Sequence, residues 1–245
     1  MPRSLALEVA VQDAAGVRVA REIGAARVEL TQGLALGGLT PSAATIELAL
    51  EASGADGPEV HVLVRPRAGG FFYDAGELDV IERDIRHAVA RGAHGVVIGA
   101  QRAAGALDVD ALARLRDAAG EASVTLHRVI DVTPDLEASL DVVRELGFAR
   151  VLTSGGASAA IDGVDALRAL VKRAEGAVQI MAGSGVTADN VVEIAATGVD
   201  AVHFSAKRTV IDEGGVRMGS ASDGVGGYEV TDLSAAQAIC TALGR

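Results

Sequence analysis

Val60-His61-Val62-Leu63-Val64-Arg65 alternates apolar and ionisable residues along a short strand. A period of two puts Val60, Val62 and Val64 on one face and His61 and Arg65 on the other. The pattern recurs throughout the chain. Leu7-Glu8-Val9-Ala10-Val11, Val28-Glu29-Leu30 and Val202-His203-Phe204-Ser205 each set an ionisable residue inside an apolar strand, and His127 and Asp131 stand in another. Burial of unpaired charge is costly, so this many inward ionisable residues point to a use.

Outward from that strand, apolar segments alternate with helical ones. Strands are predicted near 5 to 11, 27 to 32, 59 to 65, 95 to 100, 124 to 131, 150 to 154, 178 to 183 and 201 to 206, which makes eight βα units. Ile81, Ile85 and Val89, and Leu136, Leu140 and Val143, follow helical spacing. Thr40-Pro41 reads as an N-cap with proline at the first helical position, and Thr187 as the cap of a helix starting near Ala188. A glycine precedes a strand valine by four residues at Gly24/Val28, Gly92/Val96, Gly147/Val151 and Gly198/Val202, a repeat that marks every second strand. These features predict one α/β domain over 1–245, a (β/α)8 TIM barrel, with a glycine-rich insertion 209–232 after strand 8. An open doubly wound sheet is the alternative. It buries both strand faces under helices and favours all-apolar strands, unlike the polar face repeated here.

A formal net charge of -11, two Tyr, four Phe and no Trp argue against a nucleic-acid partner. Met1-Pro2-Arg3-Ser4-Leu5 leads into a strand without an apolar signal stretch, and no uncharged apolar run reaches transmembrane length. The expectation is a soluble, cytoplasmic protein without a membrane partner. Cys240, the only cysteine, reads as a buried small residue of a terminal helix. The stretch 209–232 reads either as a lid or as a surface loop. Arg65 to Gly76, with Phe71-Phe72-Tyr73 beside Gly69-Gly70, is a second candidate flap over the mouth.

In such a barrel the chemistry lies at the C-terminal strand ends. Neighbouring strands 8, 1, 2 and 3 would bring His203, Glu8, Glu29 and His61 into one wall, faced by His127 and Asp131 from strand 5. Three readings fit this wall. In the first, Glu8, Glu29, His127 and Asp131 handle protons on a small anionic, phosphorylated or similar substrate held by Arg65, Arg67, Ser154, Gly155, Gly183, Gly185 and Ser205. The glycine turn Gly183-Ser184-Gly185-Val186-Thr187, opening a helix, and Ser205-Ala206-Lys207 supply the anion site. In the second, His61, His127 and His203, with Glu8 or Glu29, hold a divalent metal such as copper. In the third, the charges form a paired network that only fills the barrel. Gly183-Ser184-Gly185-Val186-Thr187-Ala188 also fits a relaxed dinucleotide pattern, but it lies in the seventh unit and no acidic residue ends the next strand, so no nucleotide cofactor is expected.

Several longer stretches carry a resemblance. Leu36-Gly37-Gly38-Leu39-Thr40-Pro41-Ser42, Val60 through Arg67, His127-Arg128 with Asp131, Thr153-Ser154-Gly155-Gly156, and Met218-Gly219 before Tyr228 together resemble the copper homeostasis protein CutC family over nearly the whole chain. The resemblance implies a cytoplasmic TIM barrel, self-associating as a dimer or tetramer, linked by name to copper homeostasis and copper binding. It also implies cysteines at positions that look like Ala10 and Thr31, where this chain has none. Met181, Met218 and Cys240 are then a poor set for Cu(I).

Overall fold

The computed structural model describes residues 5–211 and 227–245. Eight parallel strands close into a barrel: β1 (Ala6–Val11), β2 (Arg27–Leu30), β3 (Glu59–Leu63), β4 (Gly95–Ile98), β5 (Ser123–Leu126), β6 (Arg150–Thr153), β7 (Gln179–Gly183) and β8 (Ala201–Phe204). Closure is made by β8 on β1, with Ala6 opposite Ala201 and Glu8 opposite His203. The chain is therefore a (β/α)8 barrel, as the alternation predicts. The open sheet is excluded.

Helices α1 (Ala14–Glu22), α2 (Ala43–Ser53), α3 (Ala75–Ala90), α4 (Val109–Ala118), α5 (Leu136–Glu145), α6 (Val164–Ala174), α7 (Val191–Ala195) and α8 (Leu233–Ala242) alternate with these strands. Their apolar stripes meet the outward strand residues, so Val9, Val28, Val62, Ile98, Leu126, Ile180 and Val202 share one continuous core with Ile81, Ile85, Leu140 and Leu167. Inside the barrel the apolar contacts form a separate, small cluster of Leu152, Met181 and Ala201, with Ala6 against it. Beside it, Ala10, Leu63 and Val97 are buried among the polar groups Glu8, Arg27, Glu29, His61, Thr125 and Arg150. Gly24, Gly92, Gly147 and Gly198 all have positive φ, which is why the repeat before alternate strands uses glycine.

Three local readings change. The strand predicted over 124–131 ends at Leu126, because the His127 side chain accepts the Val129 amide and starts a 3-10 turn over Arg128–Val132. Asp131 consequently leaves the strand alternation. Ser42, not Thr40, caps α2, while Thr40 Oγ1 takes the Arg65 amide at 2.9 Å. Thr187 does not cap a helix at 188: α7 begins only at Val191, and Asn190 Oδ1 accepts the Thr187 amide. Within the insertion read as irregular over 209–232, the ends pair as an antiparallel hairpin of β9 (Lys207–Ile211) and β10 (Gly227–Thr231). The choice between lid and loop for its middle, and the Met218-Gly219 motif, lie outside the described residues. Cys240 is buried on α8, with its Sγ 4.0 Å from the Ile23 carbonyl oxygen on the outer layer. Among the described residues no helix is long and apolar enough to cross a membrane.

Small residues on β4 make room for large ones beside it. A Cβ at Gly95 would lie 2.6 Å from the His61 ring and from the Ser123 carbonyl, and one at Gly99 would lie 2.2 Å from the His127 ring. We expect Gly99→Ala to cost about 1 to 3 kcal/mol in urea unfolding, through overpacking. The double variant Gly99→Ala/His127→Ala should be more stable than the sum of its single variants, a coupling that a double-mutant cycle reads directly.

Candidate active site

At the heart of the barrel, Glu8 is fully buried and doubly satisfied. Arg27 Nε donates to its Oε2 at 2.9 Å, and His203 Nδ1 lies 2.9 Å from its Oε1. Burial alone would raise the Glu8 pKa. The hydrogen bond and charge of His203, then the charges of Arg27 and His61, overcome this and hold the carboxyl well below the ordinary range. The second nitrogen of His203, Nε2, stands 3.7 Å from Glu29 Oε2. Burial disfavours the His203 cation, but Glu29 and Glu8, one on each side, outweigh it and raise its pKa.

Glu29 differs from Glu8 in having no cation at hydrogen-bond distance among the described residues. Burial, opposed by the charge of His203 and reinforced by that of Glu8, pushes its pKa up to about 7. Two carboxyl groups flanking one imidazole are thus driven apart, Glu8 ionised and Glu29 ready to gain or lose a proton near neutrality.

Across the mouth, His127 Nδ1 accepts the Val129 amide at 3.1 Å, which leaves the ring hydrogen on Nε2. That Nε2 is buried and has no partner among the described residues. Burial and then the nearby charge of Arg65 bring the His127 pKa down to about 3, so the ring is neutral. The Phe71 ring covers it, centroids 4.5 Å apart. Arg65, also buried, donates to the carbonyls of Leu36 and Gly38 at 2.9 Å and of Gly69 at 2.7 Å, and its Nε has no partner among the described residues. Among the described residues it faces no carboxylate.

A cavity of about 800 Å³ opens over these groups at the C-terminal end of the barrel. Glu29, Arg65, His127, Gly185, Ser205 and His203 all line it, over an apolar floor that includes Ala10, Leu63 and Leu152. The other predicted site residues lie elsewhere. Glu8 sits beneath the cavity, and His61 turns toward the N-terminal end, its Nε2 3.1 Å from Glu59 at the start of β3. Asp131 is spent on the loop after β6: it accepts from Thr153 Oγ1, from the amides of Ser154 and Gly156, and from Arg128 Nε. Ser154 and Gly155 belong to that same loop, the Gly155 amide donating to Thr153 Oγ1. Gly183 is inside β7, where a Cβ would meet Leu152 and His203. Arg67 pins the flap after β3, bonding Glu77 and the carbonyls of Gly70 and Phe72. The turn after β7 leads into a five-residue helix and presents no helix N-terminus at the mouth. Ser184 and Gly185 line the cavity with φ of 88° and 67°.

The sequence reading missed the two arginines below the cavity. Arg27 and Arg150 stand two residues before Glu29 and Leu152 on the same inward faces, so the period-two pattern contained them. Arg150 bonds Gln179 and Thr125, and burial followed by the charge of Arg27 lowers its pKa to about 10. The contribution of α8, whose Ala235, Ala238 and Ile239 close one side of the cavity, left no such signal.

The model of the CutC family matches residues 5–208, most of the barrel. The chain belongs to the CutC family. A CutC protein of Caulobacter vibrioides is 47% identical over 200 residues, covering 81% of this chain and 80% of its own length. One from Xanthomonas campestris pv. campestris is 39% identical over 240 residues, 98% of this chain and 99% of its own. The crystal structure of a copper homeostasis protein CutC from Streptococcus agalactiae superposes with a TM-score of 0.78 at 32% identity, covering 82% of this chain and 98% of that one. CutC membership accounts for the barrel and for the motifs at its mouth. Among the described residues of this CutC-family chain, no group of three or more His, Cys, Asp or Glu side chains could hold a metal ion.

The raised pKa of Glu29 has a thermodynamic consequence. Its protonated form is favoured in the folded state, so its contribution to stability is complete below pH 4.5 and is lost as pH rises through about 7. Glu29→Gln should therefore flatten the fall in stability between pH 5 and pH 8, gaining up to about 3 kcal/mol over the parent at the upper end by chemical denaturation. A variant that loses stability equally at both pH values would contradict this.

Proposed function

We propose that this CutC-family chain binds a small anionic ligand at the C-terminal mouth of its barrel and acts on it by acid-base chemistry, with Glu29 handling the proton. One observation carries the reading: a carboxyl with a pKa of about 7, a neutral imidazole whose N-H has no partner among the described residues and a guanidinium facing no described carboxylate line the same cavity. A general acid-base group works best with its pKa near the working pH. Arg65 supplies positive charge for an anion. Ser205 and Gly185, after β8 and β7, lie where barrels of this kind hold anionic groups. Glu8 and His203 serve Glu29 from below as positioning residues.

Copper homeostasis is the role the family name carries, and copper would be cargo here. The donor set does not fit a soft ion. Cu(I) selects thiolate and thioether sulfur; Ala10 and Thr31 offer none, Met181 Sδ is 3.9 Å from Arg27 Nη2 at the barrel interior, and Cys240 lies on the outer layer. Harder ions fare no better, since His203 lies between two carboxylates, His127 Nδ1 is taken by a backbone amide and His61 is turned away on Glu59. We infer a cytoplasmic dimer or tetramer, which would cover Leu36, Phe72 and Tyr228, all exposed in the connections after β2, β3 and β8.

Calorimetry with inorganic phosphate, and Cu(I) titration against a competing chelator, separate the two roles. We expect phosphate to bind and Arg65→Gln to weaken it about tenfold or more, a loss of about 1.4 kcal/mol, with folding checked by a thermal melt. Cu(I) should bind no tighter than about micromolar. Nanomolar Cu(I) binding removed by His203→Ala, with no anion binding, would reverse the assignment.

A further inference from the structure

Three features of the mouth narrow the chemistry beyond general acid-base work. The first is that, among the described residues, no nucleophilic side chain at the mouth is paired with a base. Ser184 Oγ donates to the Ser158 carbonyl at 2.8 Å, Lys207 is 2.5 Å from Glu229, and Cys240 is remote. Neither imidazole at the mouth can serve a hydroxyl as base: His127 Nδ1 is occupied by the Val129 amide, and both nitrogens of His203 face carboxylates. A hydroxyl or thiol nucleophile needs such a base, so the described groups favour proton transfer over covalent chemistry.

The second is the form of His127. A neutral imidazole whose hydrogen sits on a buried Nε2 with no partner among the described residues can donate to a developing oxyanion without surrendering its proton outright. Arg65 acts alongside it in two ways, keeping the ring neutral and adding positive charge at the same end of the cavity. Gly99 holds the space for the ring, and Phe71 covers it.

The third is the placing of Glu29 on the opposite part of the wall, over a dry floor of Ala10, Leu63 and Leu152. In such surroundings charge interactions are stronger than in water, so donors fixed around an oxygen count for more.

We propose that the mouth removes a proton from carbon adjacent to a carbonyl, with Glu29 as base and His127 Nε2-H and Arg65 holding the carbonyl oxygen, on a small carbonyl compound that bears an anionic group. This rests on the acid-base reading above and narrows it. The C-H bond breaks and its proton forms an O-H bond with Glu29. The C-H electron pair becomes the C=C bond as the carbonyl π pair moves onto oxygen, where His127 and Arg65 meet the charge. Glu29 then returns the proton to carbon, directly or after exchange with solvent. No oxidant, reductant or second substrate is consumed.

The test is solvent exchange in D2O, followed by proton NMR, on pyruvate, 2-oxobutyrate and dihydroxyacetone phosphate. Oxalate, a planar mimic of an enolate, is titrated in parallel by calorimetry. The parent protein should wash deuterium into at least one of the three probes well above the buffer rate. Glu29→Gln should lower that rate by about 100-fold or more while still binding oxalate, and Glu29→Asp should keep part of it. His127→Ala should weaken oxalate about tenfold. Oxalate binding with no exchange on any probe overturns the enolisation and leaves the anion site standing. Absence of both overturns the two readings together, and exchange that survives Glu29→Gln removes Glu29 as the base.

Discussion

A carboxylate buried at the centre of the barrel governs the rest of the interior. Glu8 has no access to water, so its charge must be matched from within, and Arg27 and His203 do this at 2.9 Å each. Removing one partner of such a pair costs about 3 to 5 kcal/mol, because the other is left buried and unmatched. His203 is thereby held in one orientation and favoured as a cation. Its outer nitrogen then faces Glu29 at 3.7 Å, the only ion-pair partner of that carboxyl among the described residues.

The same contrast separates the imidazoles. His203 lies between carboxylates, which raise its pKa, whereas His127 is buried beside Arg65 and a backbone amide and stays neutral. Identical side chains on the inner face of one barrel are therefore pushed in opposite directions. This division makes chemistry at the mouth conceivable, since a site of uniformly charged groups would offer no proton donor and acceptor of different strength. Family membership covers the barrel and its motifs; the assignment of proton transfer to Glu29 rests on this geometry.

Much of the architecture was legible along the chain. Valines on alternate positions had to face helices, and ionisable residues between them had to face inward, which requires a closed sheet with a polar inside. Glycines before alternate strands were readable for the same reason, since each ends a helix in a left-handed conformation. Local caps were less legible. Thr40 and Thr187 looked like caps, yet Ser42 caps α2 while Thr40 is taken by the Arg65 amide, and α7 starts after Asn190, whose side chain is spent on the turn after β7 and caps nothing. The His127 side chain likewise ended β5 early, and no strand propensity could register that contact.

For the site, sequence alone determined which residues point into the barrel: Glu8, Glu29, His61, His127 and His203 are inward because the strand period admits no other choice. Depth and partnership were decided only by the closed structure. The register that sets Glu8 opposite Arg27 and His203 puts Glu8 below the cavity, and the hydrogen bond to Glu59 turns His61 to the far end. Asp131, read as a wall residue, became an acceptor for the loop after β6. Alternation is a local property of the chain, whereas a buried charge answers to whatever lies across the barrel, and those neighbours come from strands far apart in sequence.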